Sequence, residues 1–455
     1  MIRIQRAQDV EASFFTGRSQ TGPIETVTAV LSHIRTDGDA ALHKYSIEFE
    51  SAAPASFEIP YSELEAAAKR IQKEKPDVYA AMLYSHELAL RFAEKQKEAY
   101  TSFEYELEPG LVAGQRTIPV DTAGVYIPAG RFPLVSTVIM TVTPAVAAGV
   151  KNIVLCTPPR IHPDDKAAAS AVGQGIPGNP FIGGKPYADE GIMAAACICG
   201  VTRAFACGGA QAVAAMAYGT ESVPQVDVIV GPGNKFVAEA KRLVYGTVGI
   251  DMIAGPTEVF IIADKSADPS WVAADMLAQA EHDVIAQAVL ATPDEKFANS
   301  VAQELEKQLA VLPTRATAER SLHDCGRIIL TDSLAQAAEL ANRKAPEHLE
   351  LALADGKERD TLEKLVRNYG SLFIGHFSAE VFGDYAAGIN HTLPTSGSAR
   401  FTGGLSVRSF LKTVTSLRAS AGSEGAVKSA EAASVLGKAE GLFGHARAAA
   451  IRISK

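Results

Sequence analysis

Cysteine is scarce in this chain, which has only five in 455 residues. So small and odd a number in a long chain predicts reduced thiols in the core and argues against a disulfide framework. Cys197 and Cys199 form a CxC motif in an alanine-rich helical run, but no second cysteine pair completes a metal site. Because free cysteine is among the most buried residue types, core packing is the better interpretation of both thiols.

Basic side chains and long apolar runs are also in short supply. The 43 Lys and Arg residues are outnumbered by 52 Asp and Glu residues, so the net charge of −9 leaves no basic footprint for nucleic acid. The most apolar stretch, Val135–Val150, is broken by threonines and Pro144 and is too short for a membrane span. The opening residues MIRIQRAQDVEASF lack the apolar core of a secretory signal. We therefore expect a cytoplasmic protein that binds neither nucleic acid nor membrane.

Length and patterning predict more than one folded unit, since a single core stops growing near roughly 250–300 residues. Residues 1–123 have the spacing of amphipathic helices, and we expect the later part of this segment to join the second of two α/β units. Those units, 124–256 and 257–405, carry β-branched runs followed by glycine and alanine-rich helical stretches, the pattern of a parallel sheet. Residues 162–184 predict a surface loop. The tail, 406–455, predicts a small helical extension that packs elsewhere, with another subunit as one alternative.

Two pairs of polar residues in the second unit are candidates for chemistry. Gln279 and His282 are three apart on a predicted helix, where two ligands can share a metal and where a solvated helix face is the plain alternative. Glu347 and His348 are adjacent, just before an apolar strand-like run. A carboxylate and an imidazole at a strand edge can act as paired acid and base. The alternative is a loop with a capping glutamate and a surface histidine.

Two further segments near the end of the chain carry polar side chains. A glycine- and proline-rich loop covers residues 383–404 and can fold tightly. It contains three side chains that can face a pocket or bind an anion: Asp384, His391 and Arg400. Glu440 and His445 lie in the segment EGLFGH. Taken alone, the first segment is equally well a plain surface loop, and a histidine so near the end of the chain would ordinarily be given no role.

Three glycine-rich turns each follow a strand-like run and precede a helical one. They are GVYIPAG (Gly124–Gly130), CGGAQA (Cys207–Ala212) and VGPGNKF (Val230–Phe236). At such junctions the backbone N–H groups and the helix N-terminus can receive the phosphates of a dinucleotide. None of the three is a GxGxxG fingerprint, so no single turn establishes nucleotide binding.

Taken together, these segments resemble those of the histidinol dehydrogenase family. The resemblance runs from about Ile34 to Arg452 and includes GVYIPAG, VDVIVGPGNKFV, GIDMIAGPTEV, QAEHD, APEHLE, GDYAAGINHTLPT and AEGLFGH. It implies two Rossmann-like parallel-sheet units facing one cleft, with the nucleotide on the side of 124–256 and the metal and catalytic bases on the side of 257–405. It also implies a homodimer with shared active sites, in which residues 406–455 reach the partner subunit.

The resemblance also implies a set of site residues. The metal ligands, holding one Zn²⁺ per subunit, would be Gln279, His282, Asp384 and His445, an N/O donor set that suits this ion. The general bases would be Glu347 and His348. The contacts to NAD would be Tyr126, Gln211 and Asn234. The substrate contacts would be Thr257, Gln279, His282, His348, Asp384, His391, Glu440 and His445.

The implied reaction is the four-electron oxidation of a primary alcohol through an aldehyde to a carboxylate, with two NAD⁺ reduced. L-Histidinol would give L-histidine, the last steps of histidine biosynthesis. The first oxidation needs a base of near-neutral pKa, which suits His348, and the second needs an activated water, which suits Glu347. The metal would chiefly position the substrate.

Departures from the family pattern concern the substrate. They lie at residues 131–137, at Thr257 and at residues 402–407. Similar variants occur in paralogues acting on other polar primary alcohols, so an alternative is oxidation of 2,3-dihydroxypropane-1-sulfonate to sulfolactate, with Arg131 or Arg400 binding the sulfonate. Glu440 favours histidinol, because a carboxylate suits an imidazole N–H better than a sulfonate. A catalytically silent binding protein is disfavoured, because it has no reason to keep the metal and base residues.

Overall fold

The computed structural model describes residues 2–16, 22–129 and 133–454. Its α-helices are α1 (Ile24–Phe49), α2 (Tyr61–Glu74), α3 (Pro76–Lys97), α4 (Val135–Ala148), α5 (Lys166–Ala171), α6 (Glu190–Cys199), α7 (Gly209–Tyr218), α8 (Lys235–Val244), α9 (Pro269–Ala280), α10 (Glu295–Leu309), α11 (Arg315–Asp324), α12 (Leu334–Lys344), α13 (Lys357–Leu365), α14 (Glu380–Tyr385), α15 (Glu424–Ala439) and α16 (Phe443–Ala450).

The strands follow in the same chain order. They are β1 (Arg3–Arg6), β2 (Ala52–Ala53), β3 (Glu58–Ile59), β4 (Phe103–Glu108), β5 (Leu111–Pro119), β6 (Thr122–Tyr126), β7 (Asn152–Thr157), β8 (Phe181–Ile182), β9 (Arg203–Ala206), β10 (Val228–Val230), β11 (Gly249–Ile250), β12 (Glu258–Ala263), β13 (Gln287–Thr292), β14 (Arg327–Leu330), β15 (His348–Ala352), β16 (Ser371–Ile374) and β17 (Leu411–Ala419).

Two six-stranded sheets form the body of the protein. The first has the order β11-β10-β6-β7-β9-β3, parallel except for β3, which runs antiparallel to β9. The second has the order β1-β14-β13-β12-β15-β16 and is parallel throughout. The predicted α/β fold class, with two parallel-sheet units, is confirmed.

Each sheet is covered on both faces, which explains why its central strands are continuous apolar runs. In β12 all six residues are buried. Val259 and Ile261 pack with residues of α9 on one side, and Phe260 and Ile262 pack with residues of α12 on the other. Around the first sheet, α4 and α6 lie in one core, while α1 and α7 lie in another.

The apolar helix α4 is buried along most of its length, as expected of a core segment. In the described part of the chain, no helix combines the length and the apolar character needed to cross a membrane. All five cysteines are free; four are buried and Cys197 is half-buried. The prediction of core thiols therefore agrees with their location.

The N-terminal segment joins the sheets differently from the expectation. Its first strand, β1, is the part that enters the second sheet, beside β14. The later helices α2 and α3 pack on α6 and α4 of the first unit. The expectation that the later part joins the second unit is thus wrong. The sequence RIQR is too short and polar to be recognised as a strand, whereas α2 buries an apolar face against the alanine-rich α6.

Two other expectations of local structure need correction. Residues 162–184 are not simply a loop, because they contain the short helix α5 and the strand β8, which pairs with β2. The C-terminal extension is not only helical, because it begins with β17. That strand pairs antiparallel with β5 over its full length, and β4 completes a third sheet. The three consecutive β-branched residues in LKTVTSLRA, 413–415, favour this strand.

Candidate active site

A cleft of about 190 Å³ lies between the carboxyl edge of the first sheet and the amino edge of the second. We call it the central cleft. From the first unit it is lined by the turn Gly231–Gly233 after β10 and by the start of α4. The segment that connects the two sheets contributes Thr257, just before β12. From the second unit it is lined by the start of β15, by α14 and by the loop that follows α14.

Glu347 lines this cleft immediately before β15 and is 6% exposed. Its Oε2 accepts hydrogen bonds from Thr257 Oγ1 at 2.5 Å and from the backbone N–H of Glu258 at 3.0 Å. Burial raises the pKa of Glu347 to about 7, although His348 and the two hydrogen bonds act in the opposite direction. The group therefore changes its ionisation near neutral pH, as a general base must.

His348, the first residue of β15, is held between carboxylates. Its Nδ1 faces three oxygens, which are Glu258 O at 3.4 Å, Glu347 Oε2 at 3.8 Å and Glu380 Oε2 at 3.8 Å. Its Nε2 is 3.5 Å from Asp384 Oδ1 and has no hydrogen-bond partner. Burial alone would lower the pKa of His348, but the surrounding carboxylates, Glu347 first, raise it to about 10. The expected near-neutral pKa is not found in this charge environment, because Glu380 and Asp384 add to the effect of the adjacent Glu347, and spacing along the chain does not reveal those two.

Gln279 and His282 lie at the end of α9, although not on one helix as expected. The helix ends at Ala280, and the N–H of His282 bonds to Gln279 O at 3.4 Å in the following turn. A new turn starts at once, because the carboxylate of Asp283 accepts the backbone N–H two residues on. His282 nevertheless lines the central cleft, together with Asp384 on α14. The spacing of three residues thus correctly predicted that Gln279 and His282 lie near each other, but a turn after the helix, and not a shared helix face, brings them together.

The donors at this end of the cleft suit a metal ion. Gln279 Nε2 donates to Thr257 Oγ1 at 2.8 Å, which leaves Gln279 Oε1 buried without a hydrogen-bond partner. Burial alone would raise the pKa of Asp384, but His348 first, then His391 and His282, lower it. A buried amide oxygen and an ionised carboxylate are both ligand atoms for a divalent cation. Among the described residues, no three His, Cys, Asp or Glu side chains form a complete metal site by themselves.

His391 also lines the cleft, and its Nε2 is buried without a partner. Burial lowers the pKa of His391, so its imidazole is neutral and available to a ligand. Arg400, in contrast, is bound to the main chain: it donates to Gly397 O at 3.0 Å and to Arg343 O. Arg131, the other candidate for binding a sulfonate, is outside the described residues.

The three expected nucleotide contacts lie around the first sheet and not among the described residues that line the cleft. Tyr126 is buried, and its hydroxyl accepts the N–H of Gly209 at 3.1 Å. Gln211 is buried as well, and its Nε2 donates to Glu50 Oε1 at 3.3 Å. Asn234 caps the start of α8 and lines a groove beside the cleft.

Glu440 and His445 are exposed and do not line the central cleft of their own chain. Glu440 follows α15, and His445 lies in α16. These two helices pack on each other, and α15 also contacts β4 of the third sheet. The structure therefore brings seven of the expected metal, base and substrate residues together, six that line the cleft and Gln279 bonded to Thr257 beside it, and it leaves these two apart.

Sequence reasoning missed two fully buried ion pairs beside the cleft. Lys344 Nζ lies 2.7 Å from Glu258 Oε2, behind the hydrogen bond from Glu258 to Glu347. Lys241 pairs with Asp251, and both line the cleft. The only signal was a charged residue at the border of an apolar element, which ordinarily predicts solvent exposure.

The Lys241–Asp251 pair fastens the turn after β10. Lys241 Nζ donates to Gly231 O at 2.9 Å, while Asp251 Oδ2 accepts the N–H of Gly231 at 2.8 Å. Gly231 has a φ of 114°, and a Cβ there would lie 2.2 Å from Tyr126 O. Only glycine fits this position, so the pair holds a turn that no other residue type can form.

The sequence and the fold of this chain are similar to those of known proteins. A family model described as histidinol dehydrogenase matches residues 17–176 and 179–453. The histidinol dehydrogenase of Hydrogenovibrio crunogenus is 42% identical over 94% of this chain and 92% of its own length. That of Thermus thermophilus is 42% identical over 99% of this chain and 100% of its own length. A crystal structure of histidinol dehydrogenase from Elizabethkingia anophelis, 32% identical, covers 99% of this chain and 98% of its own with a TM-score of 0.86.

Proposed function

The chain belongs to the histidinol dehydrogenase family and is a dehydrogenase, and from that premise we propose that it oxidises L-histidinol to L-histidine with NAD as hydride acceptor. The balanced reaction converts the alcohol, one water and two NAD⁺ into a carboxylate, two NADH and three protons. The observation that carries the proposal is the adjacent Glu347 and His348, both buried and both lining one cleft. A base for each of the two oxidations is thus present in one pocket.

In the first oxidation, His348 accepts the hydroxyl proton of the alcohol. Its Nδ1 is surrounded by oxygen acceptors, so that nitrogen keeps its proton and the unpartnered Nε2 is the atom that faces the reaction. His348 must be neutral to act in this way. A divalent cation bound to Asp384 would offset that carboxylate's charge and lower the pKa of His348 from its raised value.

In the second oxidation, Glu347 removes a proton from the water that adds to the aldehyde. Thr257 Oγ1 and the N–H of Glu258 both bond to Oε2, which fixes the carboxylate within the cleft. Its raised pKa makes it a stronger base than an exposed glutamate while leaving it largely ionised above neutral pH. Lys344 holds Glu258 and so maintains this hydrogen-bonded arrangement from behind.

A metal ion fits the donors at the end of α9. We propose that Gln279, through its unpartnered Oε1, binds Zn²⁺ with His282 and Asp384. The fourth ligand, His445, would come from a second copy of the chain, since it is exposed and away from its own cleft. The ion, when bound, would orient the substrate and reduce the negative charge around it.

The dinucleotide is proposed to bind along the carboxyl edge of the first sheet. Two of the three residues of the Gly231–Gly233 turn that line the cleft are glycines, which allows a close approach of a nucleotide to the backbone. Tyr126, Gln211 and Asn234 stay candidates for its contacts. NAD, when bound, accepts the hydride.

We further propose a homodimer with shared active sites, in the cytoplasm. Every residue of β4 is exposed, and so are three large apolar side chains of the C-terminal helices: Val435, Leu436 and Phe443, at 66%, 62% and 71%. Exposed large apolar side chains of this kind support a protein partner. A partner subunit that covers the C-terminal helices would also receive Glu440 and His445 in its cleft.

Steady-state formation of NADH tests the substrate. With L-histidinol we expect two NADH per molecule of substrate consumed; an enzyme that turns over dihydroxypropanesulfonate but not histidinol would refute this assignment. Of the two arginines expected to bind a sulfonate, Arg400 is the one within the described residues, and its guanidinium donates to carbonyl oxygens instead. His323→Asn is the control variant for the histidine substitutions, because His323 is exposed and remote from the cleft.

A further inference from the structure

The start of α4 faces the central cleft without a capping side chain. Leu134, Ser136 and Thr137 line the cleft. The N-cap residue, Leu134, cannot cap the helix through its side chain, and the first turn contains no acidic residue. The N-terminus of this 14-residue helix therefore directs an uncompensated partial positive charge at the site of the chemistry.

Thr137 supplies an independent observation. Its side chain is fully buried, and its Oγ1 has no hydrogen-bond partner. A threonine inside a helix ordinarily bonds back to a carbonyl one turn earlier, as Thr141 does to Thr137 O. Burying a hydroxyl without a partner is unfavourable. A cleft-lining hydroxyl in this state indicates that a bound group completes its hydrogen bonding.

The charge of the cleft narrows the identity of that group. The proposed reaction turns an uncharged CH₂OH into a carboxylate beside Glu347 and Asp384, which repel a new negative charge. The buried cation in the cleft, Lys241, is already paired with Asp251. Among the described first-unit residues that line the cleft, the helix terminus adds positive potential, and Ser136 and Thr137 carry hydroxyls. Of these two hydroxyls, Thr137 Oγ1 is the one that is buried without a partner.

We propose that the start of α4, residues 134–137, is the subsite that receives the carboxylate formed in the second oxidation, with Thr137 Oγ1 as a hydrogen-bond donor to it. This inference rests on the proposed function. The subsite would hold the product's carboxylate and would contribute nothing to binding of the alcohol, which has no such group.

The test compares two ligands that differ only at that carbon. Binding of L-histidine and of L-histidinol to the zinc-loaded enzyme is measured by calorimetry for the wild type, Thr137→Val and Thr137→Ser. Valine keeps the shape and removes the hydroxyl. We expect Thr137→Val to raise the Kd for L-histidine at least about tenfold, since the lost bond is to a charged group. The Kd for L-histidinol should change by less than about twofold. Thr137→Ser should restore histidine binding.

Thr331→Val is the matched control, because Thr331 is also buried with an unpartnered hydroxyl but does not line the cleft. It should leave both ligands unchanged. Equal weakening of both ligands by Thr137→Val, or no change in either, would overturn the subsite. Binding of NADH is measured in the same way. If Thr137→Val weakens only the binding of NADH, the hydroxyl contacts the cofactor's pyrophosphate, and the proposed subsite is also overturned. A wild-type enzyme that neither oxidises L-histidinol nor binds L-histidine would refute the proposed function first, and the subsite with it.

Discussion

Replacing Lys241 with methionine removes the ammonium from the buried pair that holds the turn after β10. The side chains of Lys241 and Asp251 are 2% and 1% exposed, so Asp251 would stay in the interior without its cation. Removing one partner of a buried ion pair costs about 3–5 kcal/mol. Asp251 keeps two backbone donors, the N–H of Gly231 at 2.8 Å and that of Met252 at 2.6 Å, so we expect a loss at the lower end of that range.

Urea denaturation at one fixed protein concentration measures the loss of unfolding free energy. The double variant Lys241→Met/Asp251→Asn should lose at least about 1 kcal/mol less than the sum of the single variants, because removing the second charge relieves the first. Lys307→Met is the control. Its ion pair with Glu304 has a lysine that is 75% exposed, and a surface pair contributes only about 0–1 kcal/mol.

The same variants connect stability to function. Gly231 is held by the pair through both its N–H and its carbonyl, so a loosened turn should raise the KM for NAD more than that for L-histidinol. Additive single-variant losses would show that the two side chains do not interact. If the Lys241→Met enzyme is destabilised but its KM for NAD is unchanged, the Lys241–Asp251 pair does not position the turn for nucleotide binding.

Three further predictions concern the proposed chemistry. Single-turnover oxidation of the aldehyde should rise as pH increases through about 7, because deprotonation of Glu347 generates the base, and a flat profile would contradict that role. His282→Asn should bind much less zinc after dialysis than the wild type, as measured by elemental analysis, whereas His323→Asn should bind a full complement. Mixing the inactive variants Glu347→Gln and His445→Asn should restore up to about a quarter of wild-type activity, because random pairing yields heterodimers with one intact site; no recovery after subunit exchange would argue against shared sites.

The fold class could be predicted from the sequence because it depends on repeated local patterns. Runs such as EVFIIA, each followed by a helical stretch, indicate parallel strands wherever they occur. The strand β1 could not be predicted in the same way, because its four residues RIQR become a strand only when β14 offers an edge. For β17, the pairing that makes the third sheet joins residues about 300 positions apart, and no local pattern specifies such a partner.

The site shows the same division between local and distant information. Adjacency along the chain was enough to propose Glu347 and His348 as a pair, and it correctly placed them at the start of a strand. It could not give the pKa of His348, which is raised first by the adjacent Glu347 but also by Glu380 and Asp384 in α14, more than 30 residues further along the chain. Ionisation in a buried site is set by which charges the fold brings near.

Burial explains why the two ion pairs were not predicted from the sequence, and why Thr137 was noted only as part of the departure at residues 131–137. A lysine or a threonine in a helix is ordinarily exposed or bonded to its own helix, so its sequence position carries no sign of a site. Lys344 and Glu258 acquire a role only because β12 and the end of α12 enclose them beside Glu347. If that role is to hold the base in place, Lys344→Met should lower kcat for the aldehyde step through displacement of Glu347, with the KM for L-histidinol little changed. Pre-steady-state rates measured with the alcohol and, separately, with the aldehyde as the starting substrate distinguish the two oxidation steps. An unaltered rate of the aldehyde step would show that the Lys344–Glu258 pair serves stability alone.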